Sequence, residues 1–164
     1  MNEHDSEKMM HLLRVDGFEH VENIKDADVV IVNTCCIREK AEQKFYSLMG
    51  RLRVTKRKNG TIIGITGCIA QMEKDAIWDK LPFIDFSLGP SNIHKIREAI
   101  ANAAKKNIFC DFSENGHLAS LFVKPENTGH KLKAYVTIMK GCNNFCSYCV
   151  VPYVRGKEVS RDSA

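Results

Sequence analysis

The chain has 164 residues, 44% of them hydrophobic and 27% charged, the balance of a globular protein of about one domain with a little left over. Its net charge of +4 is a mild bias toward polyanions that identifies none. No apolar run approaches the roughly 20 residues that span a bilayer, and a charged N-terminus excludes a secretory signal, so a cytoplasmic location without a membrane partner is expected. Seven cysteines, an odd number without a signal peptide, argue against a disulfide framework and for thiols that bind metal or react.

Residues 5–16 read as a short helix, with Asp5 or Ser6 as its cap, Met9, Leu12 and Leu13 as its apolar stripe, and Gly17 as its stop. Residues 28–33 (DVVIVN) are a continuous β-branched run that suits a strand buried on both faces of a parallel sheet. From Arg38 to Lys58 the residues Ala41, Phe45, Leu48, Met49 and Leu52 recur at helical spacing. Asn59-Gly60 turns the chain into a second buried strand, TIIGIT at 61–66. A helix around 73–80, a strand at 83–88, a break at Gly89-Pro90 and a helix capped by Ser91 and running to about Ala104 follow. This alternation predicts an α/β layer with a doubly wound parallel sheet.

The pattern weakens from Asn107 to His130, where short strand pieces and a connecting segment are expected. A β-rich run, KAYVTIMKG at 133–141, then opens a second unit. Neither an internal repeat nor a low-complexity tract is present.

That second unit carries the strongest signal. Cys142, Cys146 and Cys149 follow Gly141 with three and then two residues between them. Thiolates are soft ligands suited to iron–sulfur clusters or zinc. Structural zinc wants four ligands, and the nearest further candidates, Cys110 and His130, both lie upstream. Three ligands on a four-iron cubane would leave one iron open. The arrangement resembles the signature of the radical S-adenosylmethionine (radical SAM) superfamily. That resemblance implies a 4Fe–4S cluster whose open iron chelates the methionine moiety of S-adenosylmethionine, and a one-electron cleavage that yields a 5′-deoxyadenosyl radical. It also places Tyr148 near the adenine.

Cys35 and Cys68 each follow directly on a predicted strand. In an open parallel sheet such positions share the edge where ligands bind, so the two are either ligands facing each other or core thiols. The segments Asn33-Thr34-Cys35 with Arg38-Glu39-Lys40-Ala41, Gly67-Cys68-Ile69-Ala70-Gln71, and Gly141-Cys142 through Cys149 to Arg155-Gly156 together resemble the methylthiotransferase family, most closely its MiaB-type tRNA branch. The stretch VVPYVRGKEVSR after Cys149 favours that branch.

The resemblance implies a methylthiotransferase N-terminal α/β domain at 1–130. The first strand and cluster loop of a radical SAM (β/α) partial barrel would follow at 131–164. It implies a transferase that replaces a C–H bond with a methylthio group at carbon 2 of an isopentenyl-adenosine beside the tRNA anticodon. One S-adenosylmethionine would supply the methyl group and another the radical. Two 4Fe–4S clusters are implied, one on Cys142, Cys146 and Cys149, and an auxiliary one to which Cys35 and Cys68 contribute two of three ligands. The third family ligand precedes a segment like Asn2–Glu7, so this chain is expected to start just beyond it; Cys36 is a possible substitute. Arg155 and Gly156 are assigned near the cofactor. tRNA and an electron donor are the implied partners, and a monomer is expected. The chain is further expected to lack most of the barrel and an RNA-binding domain, to be an incomplete or inactive fragment, and to leave residues 143–164 poorly supported. Competing readings are a noncatalytic iron–sulfur carrier, which would want a fourth cysteine, and a zinc-binding RNA module.

Elsewhere the plain reading prevails. Arg51, Arg53, Lys56, Arg57 and Lys58 could meet phosphates but read as the solvated end of an amphipathic helix. Cys110 reads as a buried thiol and Trp78 as a packing residue. His4, His11, His20, His94, His117 and His130 share no metal-like spacing and read as surface residues.

Overall fold

The computed structural model describes residues 2–35, 39–113 and 135–161. Its core is a four-stranded, all-parallel sheet in the order β1 (Val29–Thr34), β2 (Ile62–Gly67), β3 (Phe86–Leu88), β4 (Phe109–Asp111). Helices cover both faces. α1 (Asn2–Val15) and α5 (Ile96–Ala104) pack on one, where Met9, Phe86, Leu88, Ile96 and Ile100 are buried together with the inward side of Val29 and Ile31. α2 (Glu39–Asn59), α3 (Cys68–Glu73) and α4 (Ala76–Lys80) pack on the other, around Phe45, Met49, Leu52, Ile63, Ile65, Ile69 and Ile77, with Val30 and Val32 facing them. Alternate residues of each strand thus point into separate cores, as in a parallel sheet covered on both faces.

The local chemistry accounts for most boundaries. Gly17 and Gly60, both at positive φ, follow α1 and α2, and the Gly60 N–H closes on the Lys56 carbonyl at 2.9 Å. Lys56 also pairs with Asp85, whose carboxylate accepts the Ile63 N–H at 2.8 Å.

Several elements differ from the sequence-based expectation. α1 already runs at Asn2, so Asp5 and Ser6 lie inside it; the Ser6 hydroxyl donates to the Asn2 carbonyl at 3.0 Å. β1 is half-buried rather than buried, because it is an edge strand among the described residues. Of the helix expected around 73–80, Ala76–Lys80 form α4; a separate short helix that was not expected, α3 at Cys68–Glu73, precedes it and ends where Lys74 adopts φ +46°. Ser91 does not cap a helix; a 3-10 turn at Ile93–Lys95 leads into α5. Among the described residues of the β-rich run, 135–141, only Met139–Lys140 (β5) is strand, paired antiparallel with Val159–Ser160 (β6). The connecting segment expected around SENGH and KPENTGH lies outside the described residues.

Candidate metal centre

Parallel pairing fixes the first half of the site. Thr34 and Gly67, the last residues of β1 and β2, are register partners, so Cys35 and Cys68 leave the sheet from neighbouring strand ends. The Thr34 hydroxyl donates to the Thr66 carbonyl at 3.0 Å and ties the two ends together. Gly67 has φ +97°, and a Cβ there would stand 2.4 Å from the Thr34 carbonyl oxygen. Only glycine lets the chain turn this close to its neighbour and place Cys68 at the start of α3. Cys68 is buried and Cys35 half-buried. The N-terminus of α1 lies over the same edge. The Asn2 amide donates to the Thr34 carbonyl at 2.7 Å, and the Asn33 amide donates to the Asn2 carbonyl at 2.8 Å and to the Ser6 hydroxyl at 2.9 Å.

The second half is the loop between β5 and α6 (Val151–Arg155). Gly141 turns at φ +75°, where a Cβ would meet the Lys157 carbonyl oxygen at 2.0 Å, and the Cys142 N–H donates to the Gly156 carbonyl at 3.2 Å. The Cys149 N–H closes a turn on the Cys146 carbonyl at 2.9 Å, and the Asn143 side chain accepts the Glu158 N–H at 3.0 Å. Pro152, Val154 and Arg155 are buried, and α6 packs against α3. The expectation of a poorly supported loop is therefore corrected for residues 143–161: both its ends and α6 are anchored. Residues 162–164 lie outside the described region. Cys142 and Cys149 are half-buried and Cys146 is exposed. Tyr148 is 91% exposed. Gly156 serves through its backbone, at φ +70°.

Arg155 joins the two halves. Its guanidinium donates to Asp5 Oδ2 at 3.0 Å and to Asn2 Oδ1 at 2.9 Å. Arg155 and Asp5 are both nearly inaccessible, at 5% and 3% side-chain exposure. Burial opposes the guanidinium charge, but Asp5 and the Cys68 sulfur outweigh it and raise its pKa. Two further cations lie inside this region. Burial lowers the Lys8 pKa against the pull of Asp5, and burial takes Lys140, beside the Pro90 carbonyl, down to about 8.

These buried charges escaped the sequence reading, which took Asp5 as a helix cap. A signal was present: stepping back four residues from Met9 and Leu12 along the apolar stripe of α1 gives Asp5 and Lys8. Charged residues on a buried helical face need a partner, and Arg155, 150 residues away, supplies it for Asp5.

Six free cysteines are described. Three soft donors on one short loop, and two on adjacent strand ends, suit an iron–sulfur group in type. Among the described residues no three His, Cys, Asp or Glu side chains converge as the ligands of a single ion do. The strand edge offers two thiols; Cys36, the substitute considered above, lies outside the described residues.

The remaining candidates sort plainly. Cys110 is exposed on β4, not buried as expected, because β4 is the other edge strand among the described residues. His4 is buried rather than on the surface, its ring 6.2 Å from that of Tyr135, and burial and Lys8 lower its pKa. His94 is half-buried, and its pKa too is lowered by burial. His117 and His130 lie outside the described residues. Trp78 packs against the α2–α4 core. Arg51, Arg53, Arg57 and Lys58 are exposed. No described helix is long and apolar enough to cross a membrane.

Residues 1–89 match the profile of the uncharacterized protein family UPF0004. Across 98% of its length the chain is 49% identical to a protein of Thermodesulfovibrio yellowstonii named tRNA-2-methylthio-N(6)-dimethylallyladenosine synthase, of which it covers 37%. Proteins of the same name from Geobacter metallireducens and Clostridium botulinum are each 42% identical over 99% and 98% of the chain, which covers 37% and 36% of them. The chain thus spans little more than a third of the length of these relatives.

Proposed function

The chain belongs to the uncharacterized protein family UPF0004, and from that membership we propose that it forms the cofactor-binding end of a radical SAM tRNA methylthiotransferase. The observation that carries the reading is the match along 98% of the chain to a relative named for that tRNA modification. Two groups of cysteines, three on one loop and two at adjacent strand ends, support it. The substrate would be the dimethylallyl-adenosine of a tRNA, as the relatives' name states.

Cys142, Cys146 and Cys149 would hold a 4Fe–4S cluster, which when bound supplies one electron to cleave S-adenosylmethionine. Gly141 and Gly156 hold the loop in register through the Cys142 N–H and the Gly156 carbonyl, 3.2 Å apart. Tyr148, almost wholly exposed, is free to lie against a bound adenine. Cys35 and Cys68 would contribute two thiolates to a second, auxiliary cluster at the strand edge. Arg155 spans the two regions and keeps their relative position.

Anaerobic reconstitution with iron and sulfide tests this. A brown protein is expected whose iron content falls when Cys142, Cys146 and Cys149 are replaced by serine, and which forms 5′-deoxyadenosine from S-adenosylmethionine. A colourless protein loaded with zinc would overturn the reading in favour of a zinc-binding module. Iron bound without any S-adenosylmethionine cleavage would favour an electron carrier.

A further inference from the structure

We propose that the cleft between the C-terminal half of α2 and the 3-10 turn Ile24–Asp26 is a contact site for RNA phosphates, with Lys25, Arg51 and Lys58 as its cations. The inference rests on tRNA as the substrate and goes beyond it by assigning the surface of this α/β layer that would carry the RNA backbone.

The charge pattern along α2 is one-sided. From Gln43 to Gly60 the chain holds Lys44, Arg51, Arg53, Lys56, Arg57 and Lys58, and no Asp or Glu. Lys56 is taken up by Asp85, and the other five are exposed. Lys44, Arg51 and Lys58 are seven residues apart, close to two helical turns, and so share one stripe about 21 Å long. At the C-terminal end of that stripe lies a cleft of about 510 Å³, lined by Lys25, Arg51, Val54, Thr55, Lys58 and Asn59. Half of the lining is cationic, drawn from two separate elements, and none of it is acidic.

The helix dipole does not account for this arrangement. Cations complement a helix C-terminus within its last turn, which suits Lys58 but neither Arg51, seven residues earlier, nor Lys25, on another element. Lys25 is moreover held in place. Its carbonyl accepts the Asn59 side-chain amide at 2.9 Å, and its N–H donates to the Asn23 side chain at 3.1 Å.

Two features favour RNA over another polyanionic surface. α2 buries Phe45, Met49 and Leu52 in the core and leaves Val54 as its one exposed large apolar side chain, too little to enter a lipid surface. The stripe also leads away from the candidate metal centre. Connecting parallel β1 to β2, α2 begins four residues after Cys35 and runs back to the opposite edge of the sheet. An RNA with its reacting nucleotide at the metal edge would meet cations along its backbone over about 30 Å of helix. Such phosphate contacts set register and affinity without reading sequence.

Fluorescence anisotropy of the 164-residue chain with a labelled RNA hairpin, between about 50 and 200 mM salt, tests this. Arg51→Gln with Lys58→Gln should weaken binding about tenfold or more at the lower salt. It should also reduce the slope of log affinity against log salt by about 1.4 to 1.8, the share of two phosphate contacts. Lys25→Gln should add to both effects. All three side chains are exposed, and circular dichroism should show the fold unchanged. Lys105→Gln with Lys106→Gln removes the same charge beyond α5, on the other face of the sheet, and should leave affinity within about twofold. Equal losses from the two pairs would overturn the proposal, since bulk charge alone would then bind the RNA. Absence of RNA binding by the unaltered chain at the lower salt would overturn it as well. Binding to anionic phospholipid vesicles that the α2 pair abolishes, with RNA binding untouched, would overturn it in favour of a lipid surface. Failure of the methylthiotransferase reading itself would show elsewhere, in iron content and S-adenosylmethionine cleavage, which none of these variants should change.

Discussion

Thr34 and Gly67 are register partners at the ends of two parallel strands, and the next residue on each strand is a cysteine. Backbone geometry accounts for both positions. Cys35 is placed by the strand it follows, whose last carbonyl is held by Asn2. Cys68 is placed by a glycine turn at the start of α3. The sheet edge is therefore assembled by backbone pairing, a helix start and one glycine.

Replacing Gly67 by alanine should disrupt this edge. The conformation at φ +97° and ψ −160° is one that side chains rarely adopt, costing on the order of 1–3 kcal/mol. A methyl group would also press on the Thr34 carbonyl oxygen and on the Asn33 side chain, at 2.4 and 2.7 Å. Urea denaturation should show a loss of about 2 kcal/mol or more.

Removing Asp5 should cost more than removing an exposed acid would. Asp5→Ala leaves the buried Arg155 guanidinium without its carboxylate, a class of change that costs about 3–5 kcal/mol. The double variant Asp5→Ala with Arg155→Met should recover part of that loss, because no unpaired charge remains. Chemical denaturation of the four members of the cycle gives the coupling. Hydrogen exchange should show residues 139–161 loosening in the single Asp5 variant and tightening again in the pair.

How much of this could be read from the residues follows from what kind of interaction sets each feature. The β-branched runs at 28–33 and 61–66 announced their strands, and their shared edge followed from parallel pairing, so the neighbourhood of Cys35 and Cys68 was legible. The spacing of Cys142, Cys146 and Cys149 was equally plain. Lys74, whose positive φ ends α3 ahead of the expected helix, carries no local signal, because lysine has no preference for that conformation. The role of Arg155 was out of reach for a different reason. It was assigned near the cofactor from the stretch in which it stands, whereas its partners, Asn2 and Asp5, are brought to it only by tertiary packing. The exposure of Cys110 turned on β4 being an edge strand, which the sequence of NIFCDF does not state.

The iron-binding capacity of the two cysteine groups should be separable. Cys142→Ser, Cys146→Ser and Cys149→Ser together should remove the iron that cleaves S-adenosylmethionine, while Cys68→Ser should leave that iron in place. Iron and sulfide analysis of the reconstituted proteins, with electron paramagnetic resonance of the reduced forms, checks this. Loss of all iron on changing Cys68 alone would mean that the groups share one site.

Lys140 gives the metal-free chain a pH dependence of definite sign. Its amine is held at about 8 in the fold, against 10.5 as a free side chain, chiefly by burial. Below about pH 8 both folded and unfolded chains carry the proton, and the slope is nil. Between about 8 and 10.5 the unfolded chain binds more protons, so stability rises with pH across that window. From about pH 7.5 to 9.5 the gain attributable to Lys140 is about 2 kcal/mol. Lys8, lowered for the same reason, adds in the same direction. Tyr46, whose pKa is raised by burial and Glu73, opposes the trend only once its unfolded value near 10 is passed. Lys140→Met should therefore flatten the pH profile of urea midpoints below about pH 9.5 without abolishing it. An unaltered slope in that variant would show that Lys140 does not carry its proton as the buried geometry requires.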